Sequence, residues 1–103
     1  MKIKIIHTTI DSSKVASHIS KLLVEARLSP CVQMVPKIKS TYIWKGKLEN
    51  SDEILLIIKT MPQKLHDCIK LILKYHNYNV PELIITDGEI LNNDYREWFI
   101  ENS

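Results

Sequence analysis

The chain has 103 residues, 45% of them hydrophobic and 25% charged, ordinary globular usage that argues against intrinsic disorder. Lysine and arginine total 14 against 12 aspartates and glutamates, a net charge of +2, too little for the basic stripe of a dedicated nucleic-acid binder. No apolar run approaches the roughly 20 residues of a bilayer span, and Met1-Lys2-Ile3-Lys4-Ile5 has no apolar signal core, so one cytoplasmic domain over residues 1–103 is expected.

Charge is unevenly placed. Residues 1–48 carry nine bases and two acids, whereas residues 49–103 carry five bases and ten acids. Cys31 and Cys68 lie 37 positions apart without a C-x-x-C motif, which provides neither a disulfide framework nor a zinc finger. Two glycines in the whole chain exclude a glycine-rich phosphate loop.

Residues 3–10 alternate as a strand, with Ile3, Ile5, His7 and Thr9 on one face and Lys4, Ile6, Thr8 and Ile10 on the other. Asp11-Ser12-Ser13 offers acceptors for the free N–H groups of a helix start. Val15, Ile19, Leu22, Leu23 and Ala26 then form one helical stripe that Leu28-Ser29-Pro30 ends.

From Val32 to Trp44 the apolar period is two, with Val32, Met34, Pro36, Ile38, Tyr42 and Trp44 on the same side. A continuous strand of that length runs about 43 Å, more than the body of a domain this size provides. Either Pro36 breaks it or its end projects as an arm.

Lys45-Gly46-Lys47 reads as a hairpin turn and Glu53–Lys59 as the return strand. Thr60-Met61-Pro62-Gln63 reads as a capping box before a helical stripe of Leu65, Cys68, Ile69, Ile72 and Leu73. Glu82–Thr86 is a fourth strand, and Asp94 with Glu97 opens a short terminal helix by a second capping box.

Strand, helix, strand, strand, helix, strand is the order of an α+β, ferredoxin-like βαββαβ sandwich, here with a short C-terminal helix added. Ile54–Ile58 is apolar without alternation, so this strand is expected to be buried on both faces. Two helices cover one face of such a sheet, and a second subunit is expected on the other, the alternative being a monomer whose terminal helix partly covers that face.

Common activities of small ferredoxin-like domains fit poorly. RNA recognition on such a sheet needs exposed aromatics on its inner strands, and Ile54–Ile58 and residues 3–10 have none. Acyl phosphate hydrolysis needs a backbone phosphate cradle with an arginine, absent from Thr9-Ile10-Asp11-Ser12. No nucleophile–base pair or paired carboxylates can be placed, so no enzyme is expected.

Imidazole and thiolate suit copper and zinc. His18 and His66 flank their stripes and Cys68 lies within one, which makes them surface and core residues. His7 at a strand end, His76 in a turn, Cys31 opening a strand and Glu82 near His76 in sequence remain as ligand candidates. No two histidines stand at i, i+4, so any site has to be assembled by the fold or across subunits. Tyr42, Trp44, Tyr78, Tyr95 and Trp98 lie at turns, strand ends or the last helix, as interface anchors do.

Cys31-Val32-Gln33, Ser40-x-Tyr42-x-Trp44-Lys45-Gly46-Lys47, Glu53 through Lys59-Thr60, His76-x-Tyr78-x-Val80-Pro81-Glu82 and Tyr95-x-x-Trp98 run in order over nearly the whole chain. In this it resembles the CutA divalent-cation-tolerance family. Pro30 stands where that family has alanine, and His76-Asn77-Tyr78-Asn79 stands for its His-Pro-Tyr-Glu.

The resemblance implies a cytoplasmic homotrimer, related in architecture to the PII signalling proteins, with long hairpins interlocking the subunits. It also implies binding of divalent cations, copper foremost, without an organic cofactor, nucleic acid or membrane. His76 leads the ligand candidates, with His7, Cys31 and Glu82 near subunit clefts. The alternative is a signalling or scaffold trimer with no essential metal. Its clefts would take a small anion or a partner protein near Trp44, Lys59 and Tyr78, with Tyr42 and Trp98 as further cleft or interface residues.

Overall fold

The computed structural model describes residues 1–103. Its elements are β1 (Lys2–Ile10), α1 (Ser13–Glu25), β2 (Cys31–Trp44), β3 (Lys47–Thr60), a 3-10 turn (Pro62–Lys64), α2 (Leu65–Tyr75), β4 (Ile84–Glu89) and α3 (Asn93–Glu101). All strand pairs are antiparallel, in the order β2-β3-β1-β4, the ferredoxin-like arrangement that the element order predicts.

Alternation along β1 sorts the sheet into two faces. Ile6 and Ile10 are fully buried with Leu56 and Ile58 of β3 against Ala16, Ile19 and Leu23 of α1 and Cys68 and Ile72 of α2. The opposite face carries Ile3, Ile5, His7 and Thr9. Its N-terminal end is covered by α3, whose Phe99 is buried with Ile3 and Ile90. Farther along, Leu55 and Ile57 are only half-buried, and Val35 and Ile84 are exposed. Within one chain β3 is therefore buried on one face, and the double burial expected from its sequence is incomplete.

The long second strand both breaks and projects. Val35 pairs with Leu55, and the next pair is Ile38 with Glu53, so Pro36 and Lys37 stand opposite Ile54 alone. Lys37 takes a left-handed φ of 58°, and Pro36, which has no N–H, loses nothing from the ladder at such a bulge. A one-residue insertion exchanges the faces of everything beyond it. Val32 and Met34 share the helix side, whereas Ile38, Tyr42 and Trp44 point to the open side; the uniform period of two conceals that switch.

Beyond the bulge, β2 and β3 continue as a two-stranded arm to a tight turn at Lys45-Gly46, both with positive φ. The arm stretches the molecule to 47 × 24 × 22 Å. Ile43 and Leu48 near its tip are about two-thirds exposed.

Helix starts follow the expected chemistry once in three. Ser12 accepts the Val15 N–H as the cap of α1. Thr60 is fully buried and donates instead to the Leu28 carbonyl at 2.6 Å, leaving the 3-10 turn before α2 without a side-chain cap. Asn92, not Asp94, is the residue flanking α3, and it caps with no side-chain bond.

Candidate functional site

The loop that leaves α2 wraps around the C-terminal end of β1 and faces the base of the arm. His76 fixes that wrap. Its Nε2 lies 3.1 Å from both the Thr9 carbonyl and the Thr8 hydroxyl, while Nδ1 accepts the Tyr78 N–H at 3.0 Å. This defines a neutral ring with its proton on Nε2. Burial holds the imidazole below its ordinary value, more strongly than the Thr9 carbonyl, Asp11 and Glu53 act in the opposite sense. A metal taking Nδ1 would have to displace the Tyr78 N–H.

Two residues on, Tyr78 donates its phenol to Glu53 Oε2 at 2.6 Å. Burial, then Glu53 itself, raises the Tyr78 pKa far above its ordinary value. Glu53 is 8% exposed and forms no ion pair. Between this pair, the end of β1 and the arm lies a cleft of about 720 Å³, walled by Asp11, Glu53, Glu82, Tyr42, Trp44 and Tyr78 among others. No lysine or arginine lines it. Asp11 is held by Asn77 at 2.7 Å, and Tyr42 shares a 2.6 Å bond with Ser51 across the arm.

The four ligand candidates stand apart within one chain. Glu82 is exposed in the cleft wall, and His76 lies behind that wall on the helix side. His7 is on the open face between Ile57 and Ile84. Cys31 opens β2 on the same face, opposite Lys59, and its sulfur, after burial, pushes the Tyr95 phenol upward. No three His, Cys, Asp or Glu side chains come close enough together to hold a metal ion.

The structure divides the cleft residues too. Tyr42, Trp44 and Tyr78 share the main cleft, but Lys59 lies six residues along β3 from Glu53, about 20 Å away. Trp98 stacks on Tyr95 and lines a separate hollow of about 320 Å³ beside Val24 and Arg27. Sequence reasoning missed Glu53 and Asp11 as wall residues. The signal for Glu53 was an acid directly preceding an all-apolar run, where the strand pattern leaves it no exposed side.

A ferredoxin-like sheet with an overlong arm and a cleft at its base defines the class to which the comparisons point. A model of the CutA1 divalent ion tolerance protein matches residues 4–102, and the chain belongs to that family. The Divalent-cation tolerance protein CutA of Thermus thermophilus is 34% identical over 100 residues, covering 97% of each chain. Its solved structure superimposes with a TM-score of 0.90 over 100% of this chain and 99% of that one. Protein CutA of Mus musculus is 38% identical over 90 residues, 87% of this chain and 51% of that protein. Protein CutA, chloroplastic, of Arabidopsis thaliana is 34% identical over 102 residues, 96% of this chain and 54% of that protein. The chain thus spans about half the length of the mouse and plant relatives. No helix is long and apolar enough to cross a membrane.

Proposed function

We propose that the chain works as a cytoplasmic homotrimer that binds divalent cations, copper foremost, and serves metal tolerance without catalysing a reaction. The observation that carries this reading is the apolar stripe on the sheet face opposite α1 and α2. Val35 of β2 and Leu55 of β3 are register partners, Ile57, His7 and Ile84 continue the stripe across β3, β1 and β4, and all are half-buried or exposed in one chain. Water contact over such a stripe is costly, and a neighbouring subunit removes it. The arm extends past the body, placed to contact a neighbour, and a head-to-tail contact whose rotation closes makes a ring.

His7 and Cys31 lie on that same face, so docking would bring copies of them towards a neighbour's side chains. This supports completion of a metal site between subunits, where no single chain gathers three ligands. His76 and Glu82, near the arm base, complete the candidate set. An anion-holding, PII-like alternative finds less support, because the cleft containing Trp44 and Tyr78 has carboxylates and no base.

Native mass spectrometry with and without about one equivalent of copper per chain is the test. A three-chain mass that gains copper in multiples of three is expected, with uptake reduced in His7→Ala and Cys31→Ala. A trimer that takes up no copper removes the metal reading and keeps the assembly. A monomer removes both.

A further inference from the structure

A buried carboxylate without a basic partner in its own chain is uncommon, and Glu53 is one. At 8% exposure, its only partner is the Tyr78 phenol on Oε2. Every fully buried polar side-chain atom of the protein has a hydrogen-bond partner. The partnerless Oε1 is therefore open, and the opening available to it is the cleft that Glu53 lines.

Two further acids, Asp11 and Glu82, line the same space, and Tyr42, Trp44 and Tyr78 supply aromatic surface. Aromatic faces attract cations, and more so in a partly desolvated pocket. The acids do not converge with other ligand groups on a point where one ion would contact three of them. A metal ion demands that convergence within about 2.0–2.6 Å. Charges spaced around an aromatic-walled hollow instead match a ligand whose own charges are spaced, joined by carbon that packs on rings.

We propose that this cleft binds an extended organic polycation, protonated amines separated by methylene segments, with one ammonium donating to Glu53 Oε1 and the carbon chain lying along Trp44. The volume of about 720 Å³ is in the range of small-molecule sites. Tyr78 acts as a positioning residue, holding Oε2 so that Oε1 faces the cleft. The cleft shares Glu82 with the copper candidates, whereas His7 and Cys31 lie outside it.

The experiment uses the full chain in its native assembly, with spermidine as the probe. Calorimetry and Trp44 fluorescence in a Trp98→Phe background read binding, with circular dichroism and thermal melting as folding controls. Saturable binding of about one spermidine per chain is expected, with Trp44 fluorescence changing as the site fills. Glu53→Gln should weaken it by about tenfold or more, the scale of one charge-assisted hydrogen bond. Trp44→Leu, at a position half-exposed within one chain, should weaken it as well and, with its assembly checked by native mass, decides the matter if Glu53→Gln fails to fold. No saturable binding, binding untouched by the folded variants, or equal displacement by magnesium at matched ionic strength would each overturn the proposal. Copper uptake by the same protein is read separately by mass, so failure of one site leaves the other standing on its own result.

Discussion

Tyr78 and Glu53, 25 positions apart, meet at 2.6 Å with the phenol donating to the carboxylate. The contact ties the loop after α2 to the point where β3 leaves the body and becomes arm. Tyr78→Phe keeps the ring and removes the donor, leaving a buried carboxylate oxygen unpaired. Such a loss costs about 1–3 kcal/mol. Urea unfolding should show a lower midpoint with an unchanged slope, since the exposed surface on unfolding is the same. An unchanged midpoint would mean that water replaces the phenol without penalty.

His76 makes stability depend on pH. Burial places its folded pKa below the ordinary 6.5, so the unfolded chain takes up the proton first. Its contribution is fully present above about pH 6.5 and is lost as pH falls through the lowered folded value. Protonation of Nδ1 also removes the acceptor of the Tyr78 N–H. In chelator-treated protein, the urea midpoint should decline between pH 7 and pH 5. His76→Asn should decline less over the same window. Parallel profiles for the two proteins would remove His76 as the source of the slope.

Element order, both main helices and the arm were legible because periodicity and turn residues are local signals. The bulge at Pro36-Lys37 was half-legible: proline marked the break, but nothing local revealed that Tyr42 and Trp44 would change faces. The capping box read at Thr60 failed because Leu28, distant in sequence, offers its carbonyl to the same hydroxyl. Lys59 and Trp98 looked like companions of Trp44 because strand distance is invisible in a motif. Glu53 was overlooked for the opposite reason, since its partner Tyr78 comes from a loop with no periodic signal.

Around Thr60 the loop from α1 to β2 is pinned by a small buried network. Thr60 donates to the Leu28 carbonyl at 2.6 Å, the Cys68 thiol lies 3.3 Å from that carbonyl and 3.4 Å from the Thr60 hydroxyl, and Ser29 bridges the Cys31 and Lys59 carbonyls. Burial pushes the Cys68 thiol up, keeping it a protonated donor. Thr60→Val preserves shape and deletes the bond to Leu28, and should cost about 1–2 kcal/mol. Hydrogen exchange should quicken at residues 28–31 beyond the global change. A uniform change would show that the network supports the whole fold and not this loop.

The two glycines separate backbone strain from lack of space. Gly46 sits at φ +78° with nothing within 4 Å of an added Cβ, whereas Gly88 has ordinary φ but a Cβ there would meet Ile5 Cδ1 at 2.9 Å. Gly46→Ala should therefore cost about 1 kcal/mol through conformation alone, whatever surrounds it. Gly88→Ala should cost about 1–3 kcal/mol through overpacking against Ile5 and Ile3. Because the clash is with the end of a side chain, Ile5→Val removes the obstructing methyl, and the Gly88→Ala/Ile5→Val pair should be less destabilised than the sum of its parts. The same Ile5→Val change has no atom near Gly46 to relieve, so Gly46→Ala/Ile5→Val should be additive within about 0.5 kcal/mol. Additivity in both pairs would show that β4 shifts away from β1 to admit the new methyl group.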